Sequence, residues 1–400
     1  MSTTKEADAI MYLLKNCVIF DALHPGEALE ILVDGETILA VGTGLSAPEG
    51  TAVLDLGGRM VFPGFIDAHV HVCIGPAYMT DAISAWARHG VATVRDLGML
   101  APHDLTDYLE FLRAHDTPDF ARVLTAGQYI DVAGGYGSHA PGSSDTIGRI
   151  IETPFAAAQE VKNEVALGVH GIKIGLASGG PGPARPEMDD AELCAIAQTC
   201  RALGVWSTAH VLTSASCARI TAAGFSEAAH TPDDPMPEEL IEEMVSRGVF
   251  MDTTCGDPDI TPPPPGMLPP EMAMSDEAFI AHTERRQAEI RLNCKRFYDA
   301  GGTLVLGTDL IGSSDFDRDA RIPTAEMRQL YRAGVPTHEI ICAGTIHAAR
   351  ACGIADEEGV IAPHRRANLV AIDGALGETF AALRDPAFVM NRGKILKGLA

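Results

Sequence analysis

The chain has 400 residues, of which 46% are hydrophobic, and it carries a formal net charge of −24. Its length exceeds that of a usual single core, so we expect two domains or one large barrel with an appendage. The negative charge repels nucleic-acid phosphates and anionic membranes, which argues against both as partners. No window of about 18 uninterrupted apolar residues predicts a membrane span.

The cysteines and the N-terminal residues together predict a cytoplasmic protein. None of the nine cysteines forms a CxxC pair, and their irregular spacing fits a reducing compartment better than a disulfide framework. The first 16 residues, MSTTKEADAIMYLLKN, lack the long apolar stretch after a basic start that is typical of a secretion signal.

The two ends of the chain predict short strands. Alternating apolar residues with Gly, Pro and Asp between them occur in runs that start at Tyr12, Glu27, Glu36 and Thr51. Strand patterns return in 359–374 and 387–398. Residues 1–60 and 358–400 therefore predict one composite β-sandwich domain.

The central residues 61–357 predict a (β/α)8 barrel, which would be the catalytic domain. Eight short apolar runs alternate there with segments of helical length: 61–67, 91–95, 121–126, 170–175, 205–210, 225–229, 249–253 and 303–308. Helical segments at 155–168, 191–204 and 238–248 each end in Gly, a typical C-terminal cap.

The seventh run is followed by a long connection. A long helix is expected from its N-cap Ser275 to Gly301. The proline-rich segment 261–270 before it cannot form regular structure, and it is either a lid or a surface excursion.

Polar side chains lie at the carboxyl ends of five runs, where barrel enzymes place their sites. They are His69, His71, Lys173, His210, His230 and Asp309. Residues two apart on a strand project to one side, so His69 and His71 can bind one ion. Imidazoles and carboxylates suit zinc and other divalent first-row metals. Taken alone, the pair could equally be hydrogen-bonded strand histidines.

Lys173 is a poor neighbour for a cation, because an ammonium group has no lone pair and is itself positive. Read alone, it is an ordinary lysine at a strand end. If its amine is carbamylated by carbon dioxide, it becomes an anion whose two oxygens can bridge two metals, and His210 and His230 would complete the second site.

The chain resembles the amidohydrolase superfamily through the segments GFIDAHVHV, GIKIGLASGG, STAHV, EAAHT and GTDL, in this order. The resemblance covers essentially the whole chain. The glycines after Lys173 and the helix from Thr345 resemble the branch of Xaa-Pro dipeptidases, N-acyl amino acid carboxypeptidases and ochratoxin-type amidases, which is related to imidazolonepropionase.

The resemblance implies a cytoplasmic binuclear hydrolase of carbon–nitrogen bonds. Its two divalent ions, with zinc expected, would be held by His69, His71, carbamylated Lys173, His210, His230 and Asp309. A metal-bridging hydroxide would attack an amide, an unusual peptide or a cyclic amide, with Asp309 as the general acid and base. A small-molecule substrate and a homo-oligomer are the partners that it implies.

The segment GGYGSHA after the third run departs from the family pattern. The family often has a histidine directly after these glycines, where it helps to hold the substrate carboxylate. Here Tyr136 takes that place and His139 follows. Either residue is a candidate for substrate binding, and a simple turn is the alternative.

Other functions fit the sequence less well. A mononuclear deaminase or an imidazolonepropionase-like ring-opening hydrolase usually has an acid shortly after the histidine of the fifth run. Here His210 is followed by VLTSASC, which contains none. An ester or lactone hydrolase could use the same site. An assembly protein on this fold would have lost metal ligands, whereas all six are present.

Overall fold

The structure is a computed structural model that describes residues 11–72, 76–98, 104–136, 148–176, 185–262, 274–311, 313 and 315–399. His139, the glycines at 179 and 180 and most of the proline-rich segment 261–270 lie outside these residues.

The described strands are β1 (Met11–Phe20), β2 (Pro25–Asp34), β3 (Thr37–Gly42), β4 (Ala52–Pro63), β5 (Phe65–His71), β6 (Val91–Asp96), β7 (Arg122–Thr125), β8 (Ile130–Asp131), β9 (Arg149–Ile150), β10 (Gly171–Gly175), β11 (Trp206–His210), β12 (Glu227–Ala229), β13 (Phe250–Asp252), β14 (Leu304–Val305), β15 (Leu310–Ile311), β16 (Leu369–Ile372), β17 (Phe388–Asn391) and β18 (Lys394–Lys397). The described helices are α1 (Pro76–Arg88), α2 (Leu105–Ala114), α3 (Pro154–Leu167), α4 (Asp190–Leu203), α5 (Ser214–Ala223), α6 (Glu238–Arg247), α7 (Asp276–Asp299), α8 (Phe316–Asp319), α9 (Thr324–Arg332), α10 (Thr337–Ala343), α11 (Ile346–Ala351) and α12 (Ala381–Arg384).

Strands from both chain ends form one seven-stranded sheet, in the order β18-β17-β16-β4-β1-β2-β3. The two ends meet where β4 pairs with β16 in antiparallel register, with Val61 opposite Ala371. This sheet has its own buried apolar cluster, which includes Ile19, Leu56 and Phe388. The predicted pairing of the two ends is confirmed, while a two-layered sandwich stays a prediction.

The central residues form parallel sheets in a mixed α/β fold. One sheet has the order β14-β13-β12-β11-β10-β8-β9, and the other has the order β15-β5-β6-β7. Each of the eight predicted runs overlaps one of these strands. Single backbone hydrogen bonds link the sheets, from Ala68 N–H to the Leu306 carbonyl (3.0 Å) and from His170 N–H to the Thr125 carbonyl (2.9 Å).

The predicted strand 61–67 is wrong as a single element, because it belongs to two strands. Residues 61–63 end β4 in the sheet of the chain ends, and β5 starts at Phe65. Gly64 lies between them and donates its N–H to the Asn368 carbonyl (2.8 Å). A Cβ at Gly64 would lie 2.7 Å from that of Ala92, so only glycine fits this crossing. His69 and His71 consequently lie within β5.

The predicted helices occur with the expected caps. Thr153 accepts a hydrogen bond from Ala156 N–H at the start of α3, and Gly168 ends this helix with φ 111°. Ser275 caps α7 in the same way through Ala278 N–H. Such caps satisfy backbone groups that a helix end leaves unpaired. Across the described part of the chain, none of the helices combines the length and the apolar character needed to cross a membrane.

Candidate metal centre

The structure brings the six candidate ligands together at one end of the parallel strands. His69 and His71 belong to β5, Lys173 to β10 and His210 to β11, while His230 follows β12 and Asp309 follows β14. The four histidines and Lys173 are buried. The Asp309 side chain is 32% exposed and is the most accessible of the group.

His69 is held from both sides of its ring. Its Nδ1 lies 2.6 Å from Asp252 Oδ2, and both side chains are fully buried. Its Nε2 lies 3.3 Å from Asp309 Oδ1 and 3.4 Å from Lys173 Nζ. The contact with Asp252 orients the ring so that Nε2 faces the other candidate ligands.

His71 has its tautomer set by the backbone. Its Nδ1 lies 3.0 Å from the Gly98 carbonyl, which can only accept, so Nδ1 carries the hydrogen. The other ring nitrogen, Nε2, lies 3.2 Å from Asp309 Oδ1. Burial opposes ionisation of Asp309, but its proximity to His69, His71 and Lys173 lowers its pKa, so it is a carboxylate at neutral pH. His71 Nε2 and this carboxylate therefore lie close enough together to serve as ligands of one cation.

His210 and His230 form the second part of the cluster. Their ring centroids are 4.5 Å apart, and His210 stacks on Tyr136 at 4.0 Å. His210 Nε2 is buried without a hydrogen-bond partner among the described residues. His230 Nδ1 lies 2.8 Å from the Thr254 hydroxyl. Burial lowers the pKa of His210 to about 3 and that of His230 well below its usual value, so both rings are neutral and offer lone pairs.

Lys173 lies in the middle of this cluster. It is fully buried, and no carboxylate of the described residues lies within ion-pair distance of Nζ. Burial lowers its pKa to about 8, although Asp309 and Asp252 oppose the shift. An unmodified lysine would thus place a group that is largely ammonium at neutral pH against imidazole lone pairs.

The donor set fits a divalent ion. The ligand atoms of His69, His230 and Asp309 all lie within 4.8 Å of one another. Neutral imidazoles and a carboxylate are the donors that zinc and other first-row metals prefer. His230 (φ 89°) and Asp309 (φ 56°) both have left-handed backbone, which is uncommon for non-glycine residues.

Tyr136 lies against the candidate ligands, as its stacking on His210 shows. Gly175 allows this approach, because a Cβ there would lie 2.8 Å from the Cβ of Tyr136. Tyr129, which is buried, stacks on His71 at 6.3 Å, and its ring centroid lies 6.4 Å from that of Tyr136. Two neighbouring tyrosines therefore line the histidines.

The sequence interpretation missed two carboxylates that support the cluster. Asp252 holds His69 across 183 residues of chain. Asp67 accepts hydrogen bonds from Thr308 N–H (3.0 Å) and the Thr308 hydroxyl (2.7 Å), which ties β5 to the residue before Asp309. Asp252 lies at the end of a predicted strand and Asp67 lies two residues before His69. Neither position indicates which residue the carboxylate contacts.

Replacing Asp252 with asparagine should weaken metal binding by about 10- to 100-fold, because the imidazole of His69 would lose the carboxylate that orients it and raises its basicity. Competition of the purified variant with a fluorescent chelator for Zn²⁺ measures this. Asp107→Asn makes the same chemical change at an exposed position of α2 and should leave the Zn²⁺ affinity unchanged. Wild-type affinity in Asp252→Asn would contradict the assigned role.

Arg95 is a structural residue rather than a substrate contact. Its guanidinium pairs with Glu227, donates to the Ala68 carbonyl (2.7 Å) and lies 5.0 Å from the Trp206 ring centroid. Both members of the ion pair are buried. The guanidinium is therefore committed to contacts within the protein.

Replacing Arg95 with methionine should lower the free energy of unfolding by about 3–5 kcal/mol, because Glu227 would become a buried, uncompensated charge. Urea unfolding followed by circular dichroism measures the change. Adding Glu227→Gln removes that charge and should recover part of the loss. Equal stability of Arg95→Met and the wild type would show that the pair contributes nothing.

Several solved structures share the fold of this chain over nearly its whole length. A prolidase in complex with N-methylphosphonate-L-proline is 22% identical, with a TM-score of 0.79, and the match covers 97% of this chain and 99% of that one. A Xaa-Pro dipeptidase with bound methionine is 19% identical (TM-score 0.78; 97% and 100% covered). The A. niger ochratoxinase is 16% identical (TM-score 0.75; 98% and 96% covered). At these identities the similarity concerns the fold.

Curated relatives match over shorter segments. A dihydroorotase of Geobacter sp. (strain M21) is 50% identical over 44 residues, which are 11% of this chain and 10% of the dihydroorotase. An adenine deaminase of Methanoregula boonei is 31% identical over 131 residues, which are 32% of this chain and 21% of the deaminase. The chain thus spans between a tenth and about a fifth of the length of these two relatives.

A family comparison covers far more of the chain than these relatives do. The sequence profile of the amidohydrolase family matches residues 60–400. This range contains all six candidate ligands and every described strand of the parallel sheets. The predicted resemblance is confirmed: the chain belongs to the amidohydrolase family.

Proposed function

We propose that the protein hydrolyses a carbon–nitrogen bond of an amide-type small molecule with the help of two divalent metal ions. The observation that carries this proposal is the convergence of four buried imidazoles and one carboxylate, with His69 Nε2 and His71 Nε2 at 3.3 and 3.2 Å from Asp309 Oδ1. Membership of the amidohydrolase family supports the reaction class.

His69, His71 and Asp309 would hold one ion, and His210 and His230 would hold the other, with carbamylated Lys173 shared by both. A bound divalent ion supplies a Lewis acid that polarises the scissile carbonyl and lowers the pKa of a bound water. Zinc is the metal that we propose on the basis of the ligand types.

Carbamylation of Lys173 is part of the proposal. The neutral amine nitrogen would form a bond to the carbon of carbon dioxide and release one proton, which leaves an anionic carbamate. Burial favours the neutral amine that this step needs, since the pKa of Lys173 is lowered to about 8. The modification would replace a buried cation by an anion among imidazole donors.

Asp309 would act as the general base and then as the general acid. Its carboxylate is ionised and is the most accessible group of the cluster, so it can reach both water and a substrate. It would accept a proton from the attacking water and return it to the leaving amine. Tyr136, stacked on His210, would contact the substrate, and the same role is proposed for His139.

A substrate screen tests the reaction class. The protein, reconstituted with Zn²⁺ and bicarbonate, is assayed against N-acyl amino acids, dipeptides, cyclic amides, esters and aminated heterocycles. We expect release of amine from at least one amide class. Release of ammonia from aminated heterocycles with all amides untouched would favour the mononuclear deaminase alternative, and turnover of esters alone would favour an ester or lactone hydrolase.

Finer features of the architecture belong to the same proposal. We propose that the two parallel sheets are parts of one (β/α)8 barrel spanning 61–357, which the hydrogen bonds Ala68–Leu306 and His170–Thr125 support. The sheet of the chain ends would form a separate sandwich domain from 1–60 and 358–400. A homo-oligomer in the cytoplasm is the assembly and location that we propose.

A further inference from the structure

We propose that Glu326 is a positioning residue for His230: its carboxylate holds residues 254–256 in the conformation from which the Thr254 hydroxyl fixes the imidazole. Neither Glu326 nor Thr254 is proposed to contact a substrate. The inference rests on the proposed role of His230 as a metal ligand.

Glu326 binds the backbone after β13 with both carboxylate oxygens. It lies on α9 and is only 2% exposed, and it accepts hydrogen bonds from Cys255 N–H and Gly256 N–H, each at 2.8 Å. A buried carboxylate without such donors would be costly. The two bonds therefore fix the position of this segment relative to α9.

Two buried glutamines reinforce the same segment. Gln329, one helical turn after Glu326 on α9, donates to the Gly256 carbonyl (3.1 Å). Gln287 of α7 donates to the Asp257 carbonyl (2.9 Å). We call Glu326, Gln329 and Gln287 the loop clamp. Side chains from two helices therefore bind the carbonyls of residues 256 and 257.

Thr254 is strained within the clamped segment. Its φ is 33°, in the left-handed region that β-branched residues strongly avoid. Such a conformation costs about 1–3 kcal/mol and persists only where the surroundings enforce it. The loop clamp enforces this conformation, because Glu326 binds the N–H groups of the two following residues, Cys255 and Gly256. In this conformation the Thr254 hydroxyl lies 2.8 Å from His230 Nδ1.

The contact with Thr254 occupies one nitrogen of His230 and leaves Nε2 for coordination. His230 itself has φ 89°, and its neighbour Thr231 donates to the Asp252 carbonyl (2.9 Å). The backbone of His230 is thus tied to β13, while its ring depends on Thr254. Partners that orient a ligating imidazole typically change metal affinity by about 10- to 100-fold when they are removed.

The test compares Glu326→Gln, Thr254→Val and the double variant. Glutamine keeps the shape of Glu326 but turns an NH₂ group towards one of the two backbone N–H groups. Valine keeps the shape of Thr254 and removes its hydroxyl. Each single variant should weaken Zn²⁺ binding by about 10- to 100-fold in competition with a chelator. The double variant should lose no more than the larger single loss, because both changes act through one contact.

A second readout does not depend on metal. In the metal-free protein, the ring ¹⁵N chemical shifts of His230 report its hydrogen bond to Thr254, and both single variants should move them. Glu110→Gln, at an exposed position of α2, is the matched control and should change neither the Zn²⁺ affinity nor the His230 shifts. Should Glu326→Gln fail to fold, Glu326→Asp replaces it, since the shorter side chain cannot reach both N–H groups.

Wild-type Zn²⁺ affinity with unchanged His230 shifts in the Glu326 variant would overturn the inference, as would additive losses in the double variant. Failure of the proposed function looks different: the wild-type protein would then bind no metal at all. In that case the His230 shifts of the metal-free variants still decide whether Glu326 positions the ring.

Discussion

Replacing Lys173 with alanine is expected to remove the bound metal and to lower kcat/KM by about 1,000-fold, or about 4 kcal/mol. In the proposed site Lys173 supplies, as a carbamate, the anion shared by both ions. Alanine would leave a cavity among the four imidazoles, with Asp309 as the one carboxylate among the candidate ligands. Elemental analysis of the purified variant, together with steady-state kinetics on the best substrate of the screen, measures both losses.

A short carboxylic acid should partly restore the Lys173→Ala variant, because its carboxylate can enter the vacated space and take the place of the carbamate. Lys162→Ala, at an exposed position of α3, is the matched control and should keep wild-type metal content. If Lys173→Ala keeps its full metal content without any added acid, the carbamate bridge is wrong.

Replacing Asp309 with asparagine should lower kcat by about 10²- to 10⁴-fold, the range typical of a lost general acid–base group. Asparagine has nearly the same shape, but it cannot accept a proton from water at neutral pH. Because its amide oxygen is also a weaker metal ligand, metal content must be measured on the same sample, and kcat is then compared per metal-loaded site.

Asp107→Asn is the matched control, because it makes the same aspartate-to-asparagine change at an exposed position of α2. It should leave kcat unchanged. Asp309→Asn with full metal content and wild-type kcat would show that another group transfers the proton. Loss of metal with a normal kcat per loaded site would restrict Asp309 to a role as ligand.

The sequence predicted the strand positions of the parallel sheets well, because most runs are rich in β-branched apolar residues and several of the helices between them end in glycine. It also predicted which polar residues would meet, since the carboxyl ends of parallel strands share one edge. The run at 61–67 misled because its apolar residues are continuous across Pro63 and Gly64, while the backbone there leaves one sheet for another.

The sequence did not predict the contacts that support the candidate ligands. Asp252 and His69 are 183 residues apart, and neither one marks the other as a partner. Glu326 lies on an amphipathic helix, where an acid normally suggests a solvated face, yet it is buried against backbone N–H groups. Left-handed residues such as Thr254 are equally invisible, because packing around them enforces a conformation that their residue type disfavours.

The proposed binuclear site requires a definite number of metal ions per chain. The purified protein is reconstituted with Zn²⁺ and bicarbonate, freed of unbound metal by gel filtration and analysed by inductively coupled plasma mass spectrometry against protein concentration. We predict two ions per chain, held by His69, His71, Lys173, His210, His230 and Asp309. One ion per chain would favour a mononuclear site with an unmodified lysine, and none would contradict the account altogether.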